Sequence, residues 1–286
     1  MTNTGQFKAA LAAETPLQIA GVINAYAAKL AERAGFRALY VSGAGVANAS
    51  FGLPDLGFTT REQVAEDVRR IAGATSLPLV VDVDTGWDDP AETARAMAAV
   101  GAAVLQMEDQ VDMKRCGHRP NKQLVSTDEM CTRIRAMASA RPGVDVLILA
   151  RTDAAAGEGV AAAVARAKAY VAAGADYIFA EALRTLDDYR AFTSAVSVPV
   201  LANITEFGRT PLFTTAELAG AGVRMALYPL SAFRAMSRAA ENVFAAIRNE
   251  GTQQSALGMM QSREELYDVL DYHRYEREAD ERLKKK

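Results

Sequence analysis

The amino-acid sequence predicts a closed (β/α)8 barrel of the TIM type followed by a C-terminal helical extension. Eight short β-rich runs recur along the chain, each followed by an alanine-rich amphipathic stretch, which is the pattern of parallel strands joined by helical crossovers. The length of 286 residues lies within the range that such barrels fill as one domain. No glycine fingerprint for a dinucleotide follows the first run, which disfavours an open doubly wound sheet.

The runs read as strands are 18–23 (QIAGVI), 37–42 (RALYVS), 78–84 (PLVVDVD), 102–108 (AAVLQME), 145–150 (DVLILA), 176–180 (DYIFA), 198–202 (VPVLA) and 222–227 (GVRMAL). Gly35, Gly101 and Gly174 each stand just before a strand run, where a glycine closes the preceding helix. Ser126 with Glu129 three residues later reads as a capping box that starts the helix TDEMCTRIRAMA. Alanine-rich stretches such as VAAAVARAKAYVAAGA fit helices packed closely on a barrel. Beyond Gly251 the strand–helix pattern stops. The sequence therefore divides into a barrel, 1–251, and an extension, 252–286, which reads as two short helices ending in LKKK.

Lys plus Arg number 32 against 35 for Asp plus Glu, a formal charge of −3, so there is no electrostatic bias toward nucleic acid. Small molecules and other subunits are the expected partners. Only two cysteines occur, the N-terminus has no apolar signal core, and no run approaches the roughly twenty apolar residues of a membrane helix. A reducing, cytoplasmic setting without membrane contact is expected.

In a (β/α) barrel the carboxyl ends of the strands carry the site. The third run ends in Asp82 and Asp84, two apart and expected on one face. The fourth ends in Gln106 and Glu108, the second leads through Ser42, Gly43 and Ala44 to a stretch containing Asp55, and the fifth ends in Arg151 and Asp153. That last pair fits either a structural ion pair or a substrate clamp, since a guanidinium binds carboxylates bidentately. Glu181, Asn203, Ile204, Thr205 and Arg234 follow strands six to eight. Carboxylates without clustered histidines suit a hard ion, Mg²⁺ or Mn²⁺, and disfavour zinc.

Between strand four and the next helix the chain reads KRCGHRPNK, with Cys116, Gly117 and His118 among four cations. Neighbouring positive charge lowers a thiol pKa, so Cys116 is a plausible nucleophile or proton donor, with His118 beside it. Cys131, on the apolar face of a helix, reads instead as a small buried hydrophobe. Trp87, in the loop after strand three, reads either as a shield for the metal or as an anchor for that loop. Taken together, a carboxylate-held divalent ion, cationic and amide donors and a thiol fit carbon–carbon bond chemistry on a small polycarboxylate.

These motifs, KRCGHRPNK preceded by QMEDQ, then YVSGAGVANASFGLPDLG, VDVDTG, ARTDA, LANITEFGRTPLFTT, MALYPLSAFRAM and QSREELYDVLDYHRYE, resemble the 2-methylisocitrate lyases of the isocitrate lyase and phosphoenolpyruvate mutase superfamily. The resemblance spans nearly the whole chain. It implies a tricarboxylate substrate, 2-methylisocitrate, cleaved to pyruvate and succinate in the methylcitrate cycle of propionate catabolism. Substrate contacts are implied at Ser42, Gly43, Ala44, Cys116, Gly117, Arg151, Glu181, Asn203, Ile204, Thr205, Arg234 and Arg263. Mg²⁺, with Mn²⁺ as an alternative, is implied at Asp82 and Asp84, with Asp55 and Glu108 supporting through water or hydrogen bonds. Cys116 is implied as general acid, with His118 and Glu108 in the catalytic set, and Phe179 and Leu227 as neighbours of the substrate methyl. The resemblance also implies a homotetramer whose C-terminal helices are swapped between protomers. Two departures stand out: SGAG at 42–45 where the family has SGGG, and FAEA at 179–182 where it has FPEA. Isocitrate lyase and oxaloacetate decarboxylase activities are the alternatives. The thiol separates the lyases from the decarboxylases.

Overall fold

The computed structural model describes residues 1–111 and 123–284. Its centre is a parallel barrel of eight strands: β1 (Leu17–Gly21), β2 (Ala38–Val41), β3 (Leu79–Asp82), β4 (Ala102–Glu108), β5 (Leu147–Thr152), β6 (Tyr177–Ala180), β7 (Val200–Asn203) and β8 (Met225–Tyr228). Each strand pairs with its sequence neighbour, and β1 with β8, so the sheet is closed and has no free edge. All eight runs read from the sequence are strands, with ends shifted by a few residues. Gly35, Gly101 and Gly174 take φ of +92°, +107° and +120°, the left-handed turn that ends a helix.

Side chains alternate across the barrel wall with period two. Leu17 and Ile19, Tyr40, Val80, Val104, Leu147 and Leu149, Tyr177 and Phe179, Leu201, Met225 and Leu227 form one buried cluster inside the barrel. The alternate residues, including Val81, Leu105, Ile148, Ile178, Ala202 and Ala226, join a larger cluster with the helices outside it. The inward set continues in register to Asp82, Gln106 and Glu108, Arg151 and Asn203. Parity therefore delivers polar side chains to one end of an otherwise apolar interior. The opposite end is closed by the helix Asn3–Ala13, whose Phe7, Ala10 and Leu11 belong to the inner cluster. Its start is pinned by Thr4 Oγ1, which donates to both carboxylate oxygens of Asp145 at 2.7 Å.

Ser126 Oγ accepts the Glu129 amide at 3.1 Å, as a capping residue should. The reciprocal half of the box is replaced by an ion pair one turn on, because the Glu129 carboxylate takes Arg133 Nη2 at 2.6 Å.

By its contacts the chain divides into two compact units, Met1–Ser231 and Ala232–Lys286. The helix Ser231–Glu250 counts with the second unit, so the division falls one helix earlier than the 251/252 boundary expected from the sequence. The second unit continues with a 3₁₀ segment, Gln254–Met259, and two helices, Arg263–Leu270 and Tyr272–Lys284. Asp271, with φ +52°, turns the chain between them, and Tyr267 stacks on Tyr272 with ring centroids 4.0 Å apart. Among the described residues no helix is long and apolar enough to cross a membrane.

Candidate active site

Two carboxylates and one glycine set the geometry at the β2–β3 end. Asp82 closes β3, and the backbone amide of Gly43 donates to its Oδ2 at 3.0 Å. The spacing predicts one shared strand face for Asp82 and Asp84, but Asp84 lies beyond the end of the strand. The strand ends at Asp82 and Asp84 turns back with φ +49°, so that its amide donates to Asp82 Oδ1 at 3.2 Å and its carbonyl accepts the Glu108 amide at 2.8 Å. A Cβ built on Gly43 would stand 3.0 Å from Asp84 Oδ1 and 3.1 Å from Asp82 Oδ2. A side chain at this position would require both carboxylates to give by a few tenths of an ångström. Ser42 and Gly43 are buried and Ala44 is half-buried, at the start of a short helix, Gly43–Gly45.

The turn after Asp84 is also fixed. Trp87 has φ +52°, a strained conformation for a bulky residue, and its indole Nε1 donates to the Thr59 carbonyl at 3.0 Å. That bond ties the Asp82–Asp84 turn to the end of the loop carrying half-buried Asp55. The anchoring alternative for Trp87 is the one the geometry supports.

At the β4–β6 end a single guanidinium gathers three buried carboxylates. Arg151 Nε and Nη2 donate to the two oxygens of Asp153 at 2.8 and 3.1 Å, a bidentate fork. Its Nε lies 3.4 Å from Glu108 and its Nη2 3.3 Å from Glu181, while Cζ sits 4.9 Å above the Phe179 ring. Burial alone lowers the Arg151 pKa, but Asp153, Glu181 and Glu108 raise it well above the ordinary arginine value, so the group is a permanent cation. Glu108 also accepts Gln110 Nε2 at 3.1 Å, and Glu181 accepts Asn203 Nδ2 at 3.3 Å. A continuous chain thus runs from Asp82 through Asp84, Glu108, Arg151 and Glu181 to Asn203.

Ile204 and Thr205 are buried just past β7, and Phe179 and Leu227 are buried in the inner cluster. Arg234 and Arg263 belong to the second unit. Cys116, Gly117 and His118 lie outside the described residues. Cys131 is buried and free, and its burial pushes the thiol pKa up, as a packing role requires.

Several contacts that no sequence pattern predicts surround the site. Tyr40 OH donates to Gln106 Oε1 directly below the level of Asp82 and Glu108, and Gln106 Nε2 is fully buried with no hydrogen-bond partner among the described residues. Behind the barrel wall, buried Asp109 accepts bonds from Thr152, Tyr170 and the Asp153 amide. Burial and nearby Asp153 raise its pKa, and those three donors oppose the rise. The only sequence signal for either group was proximity to Glu108.

The donor set fits a hard divalent ion. Asp82 and Asp84 are buried carboxylates converging on one point beside Gly43, where like charges repel unless a cation separates them. Among the described residues no group of three or more His, Cys, Asp or Glu side chains could hold an ion directly. Two carboxylates with the remaining positions left to water and substrate is the usual Mg²⁺ arrangement, and a poor one for zinc.

The family model described as phosphoenolpyruvate phosphomutase matches residues 7–248. The 2-methylisocitrate lyase of Escherichia coli (strain K12) is 57% identical over 278 residues, covering 96% of this chain and 94% of that protein. Among solved structures, 2,3-dimethylmalate lyase, a PEP mutase/isocitrate lyase superfamily member, superposes with a TM-score of 0.88 at 33% identity, covering 96% of this chain and 94% of that one. A phosphonopyruvate hydrolase solved in complex with oxalate and Mg²⁺ gives a TM-score of 0.84 at 31% identity, covering 96% and 97%.

Proposed function

The chain belongs to the phosphoenolpyruvate phosphomutase family, and from that premise we propose that it is a carbon–carbon lyase cleaving 2-methylisocitrate to pyruvate and succinate. The observation that carries the chemistry is the juxtaposition, at one end of the barrel, of the Asp82–Asp84 pair with the forked guanidinium of Arg151. One end of that cluster suits a hydroxy acid on a divalent ion. The other suits a free carboxylate.

In this reading Asp82 and Asp84 hold Mg²⁺, with Asp55 and Glu108 supporting through water or hydrogen bonds. When bound there, Mg²⁺ supplies positive charge to the substrate hydroxyl and the adjacent carboxylate that become pyruvate. Arg151 neutralises a second carboxylate, and Glu181 and Asn203 keep the guanidinium and the substrate in register. Ser42, Gly43 and Ala44 offer backbone amides, which a methyl group at position 44 leaves in place. Ile204 and Thr205 line the same end, Phe179 and Leu227 border the methyl group, and Arg234 and Arg263 complete the proposed set of carboxylate contacts. As the carbon–carbon bond breaks, the substrate hydroxyl gives its proton to a carboxylate of the cluster and becomes the pyruvate carbonyl, the bond's electron pair passes to the carbon that becomes succinate, and the Cys116 thiol, with Gly117 and His118 next to it in the sequence, protonates that carbon. A thiol is a far stronger acid than any hydroxyl, and Lys114, Arg115, Arg119 and Lys122 flank Cys116 in the sequence.

The working form is a cytoplasmic homotetramer with C-terminal helices exchanged between protomers. An assay of purified protein with Mg²⁺ against 2-methylisocitrate, isocitrate and oxaloacetate in parallel tests the reading. Pyruvate from the first substrate is the expected result. Preferential turnover of isocitrate or oxaloacetate would replace it with one of the alternative activities.

A further inference from the structure

The clamp residue Arg151 is held by Asp153, and what holds Asp153 is not in the pocket. Asp109 follows Glu108 and has the outward parity, so it lies behind the wall between β4, β5 and the helix Val160–Ala173. It is fully buried. Its Oδ1 accepts the Asp153 amide at 3.0 Å, and its Oδ2 accepts Thr152 Oγ1 at 2.7 Å and Tyr170 OH at 2.8 Å, with Arg166 Nη1 3.7 Å away. Its backbone adds to this grip, since the amide donates to the Arg151 carbonyl at 3.2 Å. One residue thus fastens three consecutive positions, through the carbonyl of 151, the hydroxyl of 152 and the amide of 153. Asp153 then turns its carboxylate inward to fork Arg151.

A buried carboxylate is a poor choice for stability alone. Its desolvation offsets much of what the bonds contribute, and apolar residues of similar volume commonly do as well. What the charge supplies and an apolar side chain does not is direction, with the lone-pair sites of two oxygens aimed at donors on two elements. The far side is braced as well. Arg166 donates to Tyr170 OH at 3.3 Å, to the Val125 carbonyl at 2.9 Å and to both oxygens of Glu158, and the Val125 amide returns to the Asp109 carbonyl at 2.9 Å.

We propose that Asp109 is a positioning residue for the substrate clamp, acting through the backbone of 151–153 to set the angle at which Arg151 meets a substrate carboxylate. This rests on the reading of Arg151 as the clamp. Asp109→Asn keeps the volume but exchanges one acceptor oxygen for an N–H₂ group facing a donor. We expect KM for 2-methylisocitrate to rise by about tenfold with a smaller fall in kcat. The affinity of one product, pyruvate or succinate, measured by calorimetry with Mg²⁺ present, should weaken by a similar factor. Tyr170→Phe removes one donor from the far side without touching the pocket, and is expected to raise KM in the same direction by less. A folded Asp109→Asn enzyme with unchanged KM, or one that only melts earlier, would overturn the proposal. If that variant does not fold, an unchanged KM in Tyr170→Phe overturns it equally. Failure of the wild-type enzyme to turn over 2-methylisocitrate would instead count against the proposed substrate, and product binding in the variants would still test the role of Asp109.

Discussion

The amide of Gly43 reaches Asp82 Oδ2 at 3.0 Å, and the same glycine leaves room for Asp84 Oδ1, which would stand 3.0 Å from any Cβ placed there. A methyl group at position 43 would therefore press on both carboxylates. We expect Gly43→Ala to push them apart and weaken Mg²⁺ binding by about tenfold or more, with the barrel still folding, because the residue lies outside both apolar clusters. Calorimetric titration with Mg²⁺ reads this directly. An unchanged affinity would mean that the pair does not hold the ion.

Asp84→Ala removes one of two proposed direct ligands and should abolish cleavage even with Cys116 intact. Residual activity that grows with added Mg²⁺ would fit a weakened site. Full activity of the wild-type enzyme in excess chelator would take the metal out of the account.

Arg151→Lys keeps the charge and loses the fork, since an ammonium cannot give the two parallel bonds that Asp153 receives at 2.8 and 3.1 Å. The expected outcome is a rise in KM of about one to two orders of magnitude in steady-state kinetics. A lysine variant with wild-type KM would reduce the Arg151–Asp153 pair to a structural ion pair.

Cys116→Ser replaces a thiol with a hydroxyl, a far weaker acid, at a position read from the sequence as too polar for the core. The variant should fold and bind substrate while losing at least about a hundredfold in kcat. Near-normal turnover would reassign the proton donor.

How much of this was legible follows from the range of each interaction. Asp82, Glu108, Arg151 and Asn203 end β-rich runs, and because strand parity is fixed by the apolar residues before them, their inward direction could be read along the chain. The shared strand face that the spacing gives Asp84 does not hold, since the strand stops at Asp82 and a left-handed turn, invisible to periodicity, brings the second carboxylate back. Glu129 was assigned to a cap, but an arginine one turn later competes for it. Tyr40 with Gln106, and Asp109 with Thr152 and Tyr170, pair across strands and layers, so nothing local marks these pairings. The helix Asn3–Ala13 follows no strand, so the strand–helix repeat does not mark it, and its purpose is visible only once the barrel has an open end to close.

The second unit carries the last expectation. Phe244 and Leu283 are 71% and 70% exposed, and Ile247, Leu257, Met259, Leu266 and Tyr272 also present apolar surface. So much exposed apolar area in one stretch favours burial against another chain at about 25 cal/mol per Å² covered. A second copy is the partner proposed, in a tetramer built from dimers with exchanged tails, and Arg263 on the helix Arg263–Leu270 would then serve a site near a subunit boundary. Truncation after Gly251 removes that helix together with Leu257, Met259, Leu266, Tyr272 and Leu283. Light scattering at micromolar protein should therefore give a tetramer for the full chain and a smaller species for the truncated one, with activity falling alongside. A truncated protein that remains tetrameric and fully active would deny the tail both roles, whereas loss of activity in an intact tetramer would leave Arg263 its role and remove the tail from assembly.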